Sequence, residues 1–343
     1  MSIFILGTQR SGSNLLRLML NQHPEVAAPH PPHILQRLMP LAPGYGNLSE
    51  DKNLAQLVED VCRLVECNPV PWKGVLLERA DIASRCQARS LMAVFNAVHD
   101  CLAEAWGKAN WCCNSLANIQ FLDDIERYYQ DKAKYIYLYR DGRDVAVSFN
   151  KAVVGEKHFY HIASEWGTTQ RLALDLRRQI GGQRFFSLRY EDMTEHPEQA
   201  MHDLCEFLGY PYSPAMLNFY KSDEARQVAG ASAQWRNVNQ PMLRHNSRKF
   251  LREASAEDVR TFELVAGDVL DTLGYGRLYT RRGERGRFTA ADLRQFDVLN
   301  KARQQAVMNS TDPDDLRRRH QQDKLLKEIR ERHQAGDESW ISL

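Results

Sequence analysis

The chain has 343 residues, in which 45 Lys and Arg stand against 44 Asp and Glu for a formal net charge of +1, with 43% hydrophobic and 26% charged residues. This is the composition of a folded globular protein of one large or two medium domains, and it excludes disorder of the whole chain. No apolar run reaches the roughly eighteen residues that a helical membrane span needs, and the charge balance argues against a nucleic-acid partner.

The N-terminal Met1-Ser-Ile-Phe-Ile-Leu-Gly7 lacks the basic region and long apolar stretch of a secretory signal, so a cytoplasmic protein with reduced thiols is expected. Residues 2–6 read as a short apolar strand. The strand runs into the turn Gly7-Thr-Gln-Arg-Ser-Gly-Ser-Asn14 and then an apolar helix that ends near His23-Pro24. The stretch 30–75 is rich in Pro and Gly around a helix at about 53–66. Residues 88–106 read as a helix with Leu91, Val94, Phe95, Val98 and Leu102 on one face. A second strand-to-helix unit follows, with a strand at 135–139, a turn at 140–144 and a helix from 145 to about 151. A third strand at 184–188 leads into Arg189-Tyr-Glu-Asp192, and Pro197-Glu198 opens a helix that stops at Gly209. Strands alternating with helices predict an α/β fold, a P-loop-type, mostly parallel sheet flanked by helices, which binds ligands at the carboxyl ends of its strands. After Gly276 the composition changes. Five arginines between 277 and 287 precede a polar helix at 290–309, Asn309-Ser-Thr-Asp-Pro313 breaks it, and a charged segment runs to about 333. The expected division is therefore an α/β domain at 1–276 and a charged helical C-terminal arm at 277–343. Leu293, Phe296 and Leu299 in the arm are expected to dock on the domain or on a twin subunit. Seven cysteines, an odd number without Cys-x-x-Cys, read as mostly buried structural thiols.

The first turn lacks the Gly-Lys-Ser/Thr ending of nucleotide triphosphatases, so no lysine is present to reach β- and γ-phosphates. Arg10, Ser11, Gly12, Ser13 and Asn14 nevertheless stand at a helix N-terminus, where unpaired N–H groups and the helix dipole favour an anion. By itself that loop reads equally as an anion site or as a capped structural turn. The second turn offers Arg140, whose planar fork of donors suits a terminal phosphate.

The two motifs together, Gly7-x-x-Arg10-Ser-Gly-Ser-x-Leu15-Leu16 and Tyr135-x-x-x-Tyr139-Arg-Asp-Gly-Arg-Asp-Val-Ala-x-Ser148, resemble the sulfotransferases that use 3′-phosphoadenosine 5′-phosphosulfate (PAPS). The match is closest to the branch of tyrosylprotein sulfotransferases and their bacterial relatives and covers residues 1 to 276. The resemblance implies that residues 10–14 hold the 5′-phosphosulfate, and that Arg140 and Ser148 hold the 3′-phosphate. Tyr190 would lie near the nucleotide. The segments Gln234-Trp-Arg-Asn-Val-Asn-Gln-Pro241 and His245-Asn-Ser-Arg-Lys-Phe250 resemble the part that closes over it, with Lys249 expected to reach a phosphate. PAPS is then the co-substrate, 3′-phosphoadenosine 5′-phosphate (PAP) the product, and no metal is implied.

Sulfuryl transfer needs a base for the acceptor hydroxyl and positive charge on the leaving phosphate. Arg10 is placed for the second task. Where that branch carries a glutamate after its His-Pro segment, this chain has His30, expected as the base, with His33 as the alternative. In Trp111-Cys-Cys-Asn114-Ser115, Asn114 replaces the lysine of many relatives, while Ser115 keeps a hydroxyl on the acceptor side. The acceptor is expected over residues 30–80, with Trp72, Leu76 and Leu77 as an apolar wall, and as a small or amphipathic alcohol. His158 and His161 lack a third metal ligand nearby and read as solvated or acceptor-side groups, and the run Arg317-Arg-Arg-His320 reads as a solvated helix face. Two other functions stay open: a PAP- or PAPS-binding pseudoenzyme, and a nucleotide-dependent kinase on the same fold.

Overall fold

Strand β1 (Ser2–Leu6) is buried along its whole length, and its side chains alternate between two cores. Phe4 and Leu6 face one, Ile3 and Ile5 the other, as the period of two dictates for a strand covered on both sides. Strand β4 (Ala133–Tyr139) repeats the pattern, with Tyr135 and Tyr137 on the first face and Ile136 and Leu138 on the second. The structure, a computed structural model, describes residues 1–231, 233–243, 246–311 and 313–338. Its sheet has five strands in the order β2-β3-β1-β4-β5, all parallel, with β2 at Val26–Ala27, β3 at Asn110–Cys113 and β5 at Phe185–Arg189. The α/β expectation is met. The sequence reading found β1, β4 and β5 but missed β2 and β3, which are two and four residues long. It also missed the 22-residue helix Phe159–Ile180, whose apolar stripe is diluted by polar residues.

Because every strand runs the same way, all five carboxyl ends emerge along one edge. The helix Ser13–Asn21 follows β1 and the helix Gly142–Phe149 follows β4, so the two adjacent strands deliver their turns side by side. The second helix starts three residues earlier than a reading from 145 would have it. Asp141 caps it by accepting the Arg143 N–H at 3.0 Å.

The larger core also contains an aromatic group around His99, which packs against Phe95, Trp111 and Trp72. Its Nδ1 lies 2.8 Å from the Phe95 carbonyl, and burial pushes the imidazole down to about 4. The unfolded chain therefore takes up this proton at a higher pH than the folded one. The stabilisation is fully present above about pH 6.5 and is lost as the pH falls toward 4. We expect His99→Phe to remove roughly 3 kcal/mol of the acid destabilisation between pH 7 and 4. Urea unfolding at both pH values checks this; an unchanged pH slope would show that His99 is not the group responsible.

The residues after 276 pack in two places. The polar helix Ala290–Asn309 lies on the segment before helix Phe159–Ile180: Asn300 Oδ1 accepts the Lys157 and His158 N–H groups at 2.7 and 2.9 Å, and Phe296 stacks on His158 with ring centroids 4.5 Å apart. His161 Nε2 lies 3.1 Å from Asp297. His158 and His161 thus dock the arm, which replaces the expected solvated or acceptor-side role. Phe296 makes the docking contact, while Leu299 stays exposed. The last helix, Pro313–Glu338, buries Leu325, Leu326 and Ile329 in the larger core beside helix Asp51–Glu66. There Gln322 donates to the Leu64 carbonyl, and Arg332 pairs with the fully buried Asp60, which also accepts the Tyr45 hydroxyl. Asp312 and the side chains of Arg318 and Arg319, in the charged run expected as a solvated face, lie outside the described residues. Among the described residues no helix is long and apolar enough to cross a membrane.

Candidate active site

Each strand end contributes to one cavity of about 940 Å³. The turn after β1 brings Arg10, Gly12, Ser13 and Asn14; β4 brings Arg140 and, one helical stretch on, Ser148; β5 brings Tyr190. From β2 come His30 and His33, and from β3 comes Asn114. The late segment adds Asn246 and Lys249. Two residues expected here stand back from the lining. Ser11 is buried with no hydrogen-bond partner for its hydroxyl, and the buried Ser115 hydroxyl lies 2.9 Å from His33 Nδ1. His245 lies outside the described residues.

The first turn is shaped by contact. A Cβ on Gly7 would come within 2.2 Å of the Leu138 carbonyl oxygen, and one on Gly12 would strike the Tyr190 ring at 2.5 Å. Both glycines have positive φ, so only glycine lets this turn lie against β4 and Tyr190. Arg10, His33, Gln130 and Arg248 are the non-glycine residues with left-handed backbone among those described, and three of the four border this site. Strained backbone of that kind clusters where side chains must be aimed.

Arg10 Nε donates to Ser148 Oγ at 3.2 Å, and Arg140 Nη1 donates to the Arg10 carbonyl at 3.2 Å. Arg140 is also stacked on the Tyr190 ring at 4.2 Å and donates to the Asn246 carbonyl at 2.6 Å. Asn246 in turn donates to the Tyr190 hydroxyl at 2.7 Å. Burial first, and then the neighbouring Arg140, lower the Arg10 pKa; the same two causes act on Lys249. Two guanidiniums and an ammonium crowded into one partly dry cavity form a site that favours an anion. Asp144 ties this group together: it lies 3.7 Å from Arg140 and accepts the N–H groups of Arg248 and Phe250 at 2.7 and 3.0 Å. Arg143 points elsewhere, into ion pairs with Asp141 and Glu263.

On residues that line the cavity, buried polar atoms without partners mark where a ligand would bond: Arg140 Nε, Asn14 Nδ2 and Asn114 Oδ1. Such atoms are costly when left unsatisfied. Behind Asn14, the fully buried Arg17 donates to the Asn14 amide oxygen at 3.0 Å and to Glu224 and the Ala28 carbonyl. This network joins the first turn to helix Asp223–Ala231. The sequence reading passed over it, because a mid-helix arginine carries no sign of burial.

On the other side of the cavity, His30 is buried and tied to Asn68. Asn68 Nδ2 donates to the His30 carbonyl at 2.9 Å, which turns Asn68 Oδ1 toward His30 Nδ1 at 3.3 Å. Since Oδ1 can only accept, the proton sits on Nδ1 and Nε2 is the basic nitrogen. Trp72 Nε1 donates to the same His30 carbonyl. The expected apolar wall of Trp72, Leu76 and Leu77 is not there: Trp72 and Leu77 are core residues, and Leu76 is 75% exposed. The loop folds them away from the cavity, and Leu116, Phe219, Trp235, Val238 and Met242 make the apolar lining instead. Four of these lie between 219 and 242, far in sequence from the 30–80 stretch, and only the fold brings them to the cavity. Among the described residues no group of three or more His, Cys, Asp or Glu could hold a metal ion.

A model of the sulfotransferase family matches residues 2–214, more than half of the chain. The chain belongs to the sulfotransferase family. Among curated relatives, the protein-tyrosine sulfotransferase 2 of Gallus gallus is 24% identical over 225 residues, 63% of this chain and 53% of that protein. The protein-tyrosine sulfotransferase of Drosophila melanogaster is 23% identical over 283 residues, 80% of this chain and 51% of that protein. The chain thus spans about half the length of the curated relatives it matches. Two solved structures share the fold. The sulfotransferase domain of the Synechococcus PCC 7002 olefin synthase gives a TM-score of 0.56 at 21% identity, over 80% of this chain and 95% of that one. The sulfotransferase domain of the curacin biosynthetic pathway gives 0.51 at 23% identity, over 80% and 98%. In this fold, Arg10 and Arg140 stand on the turns that follow the adjacent strands β1 and β4.

Proposed function

We propose that the chain transfers a sulfuryl group from PAPS to the hydroxyl of a small or amphipathic acceptor, releasing PAP. The observation that carries this reading is the pair of guanidiniums on adjacent strand ends, Arg10 and Arg140, in one cavity whose other side is apolar and holds a buried histidine. A donor with two separate anionic ends matches two such sites. Arg140, Ser148 and Lys249 would hold the 3′-phosphate, residues 10–14 the 5′-phosphosulfate, and Tyr190 would flank the nucleotide. The orphaned Arg140 Nε and Asn14 Nδ2 are donors that these oxygens would satisfy.

In the transfer, the acceptor hydroxyl gives its proton to His30 Nε2 as its oxygen bonds to sulfur. The bond between sulfur and the bridging phosphate oxygen breaks, and Arg10 stabilises the charge left on that phosphate. Asn114 would offer a neutral donor where many relatives have lysine, so Arg10 carries more of that task. No metal is assigned a part, in keeping with a 5′-monophosphate leaving group.

Calorimetry tests the donor assignment. PAP is expected to bind at least tenfold more tightly than ATP or AMP, without magnesium. Binding of ATP alone would overturn the proposal in favour of a kinase. Tight PAP binding with no transfer from PAPS to any alcohol or phenol would favour a binding protein.

A further inference from the structure

The arm after residue 276 does more than dock. The matched family region stops at residue 214, yet Val307, Ser310, Thr311, Gln322 and Asp323 line the same cavity as Arg10 and His30. Both sides of that crossing are anchored on elements that flank the cavity. On one side Asn300 caps the backbone of Lys157 and His158, and Arg303 reaches Asp258 at 3.4 Å. On the other, Leu325, Leu326 and Ile329 are buried and Gln322, 3% exposed, bonds to Leu64 in the helix that leads to Asn68. Arm residues from both anchored sides line the cavity together with His33, Gln36 and Arg37. Asp323 lies 4.0 Å from Arg37, a long pair with an exposed carboxylate that contributes little holding force. Position is therefore set by the buried contacts.

We infer that the arm residues 307–311 and 322–323 form the outer wall of the acceptor site and select the acceptor by size. This rests on the sulfotransferase reading above and names the substrate class that reading leaves open. With the donor held by Arg10 to Asn14 and Arg140, the acceptor must fit in the rest of the cavity, part of whose lining is the arm. The lining it meets includes Val307, Thr311 and Gln322 from the arm and Leu116, Trp235 and Met242 from the rest of the chain. A lining with that chemistry takes a compact alcohol or phenol with an apolar body. A chain long enough to extend past Thr311 would have to displace the arm and its buried anchors.

Thr311 is half-buried, and its hydroxyl only closes a local bond to the Val307 carbonyl, so it can be enlarged without touching the donor site. In the full chain, Thr311→Trp is expected to lower kcat/KM for 2-naphthol at least tenfold more than for phenol, with labelled PAPS as donor. Its PAP affinity should stay within twofold of the parent. Val307→Ala should shift the ratio the other way. Equal losses for both phenols, or none, would overturn the inference. Hydrogen exchange separates this result from a failure of the activity assignment. With PAP bound and 2-naphthol added, peptides covering 303–311 and 322–326 should exchange at least threefold more slowly. Slowed exchange without turnover would keep the wall and remove the enzyme reading. Unchanged exchange alongside normal turnover would remove the wall alone.

Discussion

Arg140→Ala is expected to weaken PAP binding by about 10²–10³-fold, or roughly 3–4 kcal/mol. The guanidinium can give a phosphate dianion charge-assisted hydrogen bonds worth about 1.5–3 kcal/mol each. It also holds its own surroundings, through the Arg10 carbonyl, the Asn246 carbonyl, the Tyr190 ring and Asp144. Its loss leaves the Asp144 carboxylate, with no exposed side-chain surface, without its cation. Breaking such a pair costs about 3–5 kcal/mol when nothing else compensates. Here the Arg248 and Phe250 N–H groups still bond to Asp144, so a smaller loss of stability and a loosened 246–250 segment are expected. Arg140→Lys keeps the charge but loses the fork and the ring contact, and should fall between the two. Calorimetry with PAP on variants whose thermal unfolding remains cooperative decides the matter; full PAP affinity in Arg140→Ala would remove Arg140 from the donor site.

His30→Ala should lower kcat by about 10²–10⁴-fold, the usual share of a general base, while PAP affinity changes little. The comparison that matters is His33→Ala. His33 has a left-handed backbone and contacts Ser115 Oγ, so its removal should disturb the loop and raise KM more than it lowers kcat. The case for His30 rests on Asn68, which holds the imidazole in the tautomer whose Nε2 accepts a proton. If His33→Ala loses the larger part of kcat, the roles are exchanged and the Asn68 contact is structural. Single-turnover rates with saturating PAPS separate the two outcomes, since they report chemistry without product release.

The sequence alone determined those parts of the protein that depend on local pattern. The strands read at 2–6, 135–139 and 184–188 were legible as apolar runs that meet turns, and the structure extends the second by two residues and shifts the third by one. The polar helix at 290–309 was legible because the Asn309-to-Pro313 break ends it. Arg10 and Arg140 stood out because the two turn motifs that carry them together resemble those of sulfotransferases, whereas the first loop by itself read equally as an anion site or a capped turn. Strands of two and four residues carry too little periodicity to be read, so the sheet edge that delivers His30 and Asn114 appeared only in three dimensions. The acceptor wall was misread for a related reason. Trp72 and Leu77 are apolar in a loop, and only packing decides whether such residues face a cavity or the core. Burial likewise turned Arg17 and His158 into fixed parts of the framework, although their sequence neighbours give no hint of it. Hydrogen-bonded and apolar order within a few residues is encoded locally. Which distant surfaces meet, and hence what bounds the acceptor, is set by the summed burial of the whole chain, where Gln322, Leu325 and Ile329 bring the arm back to the helix beside the cavity.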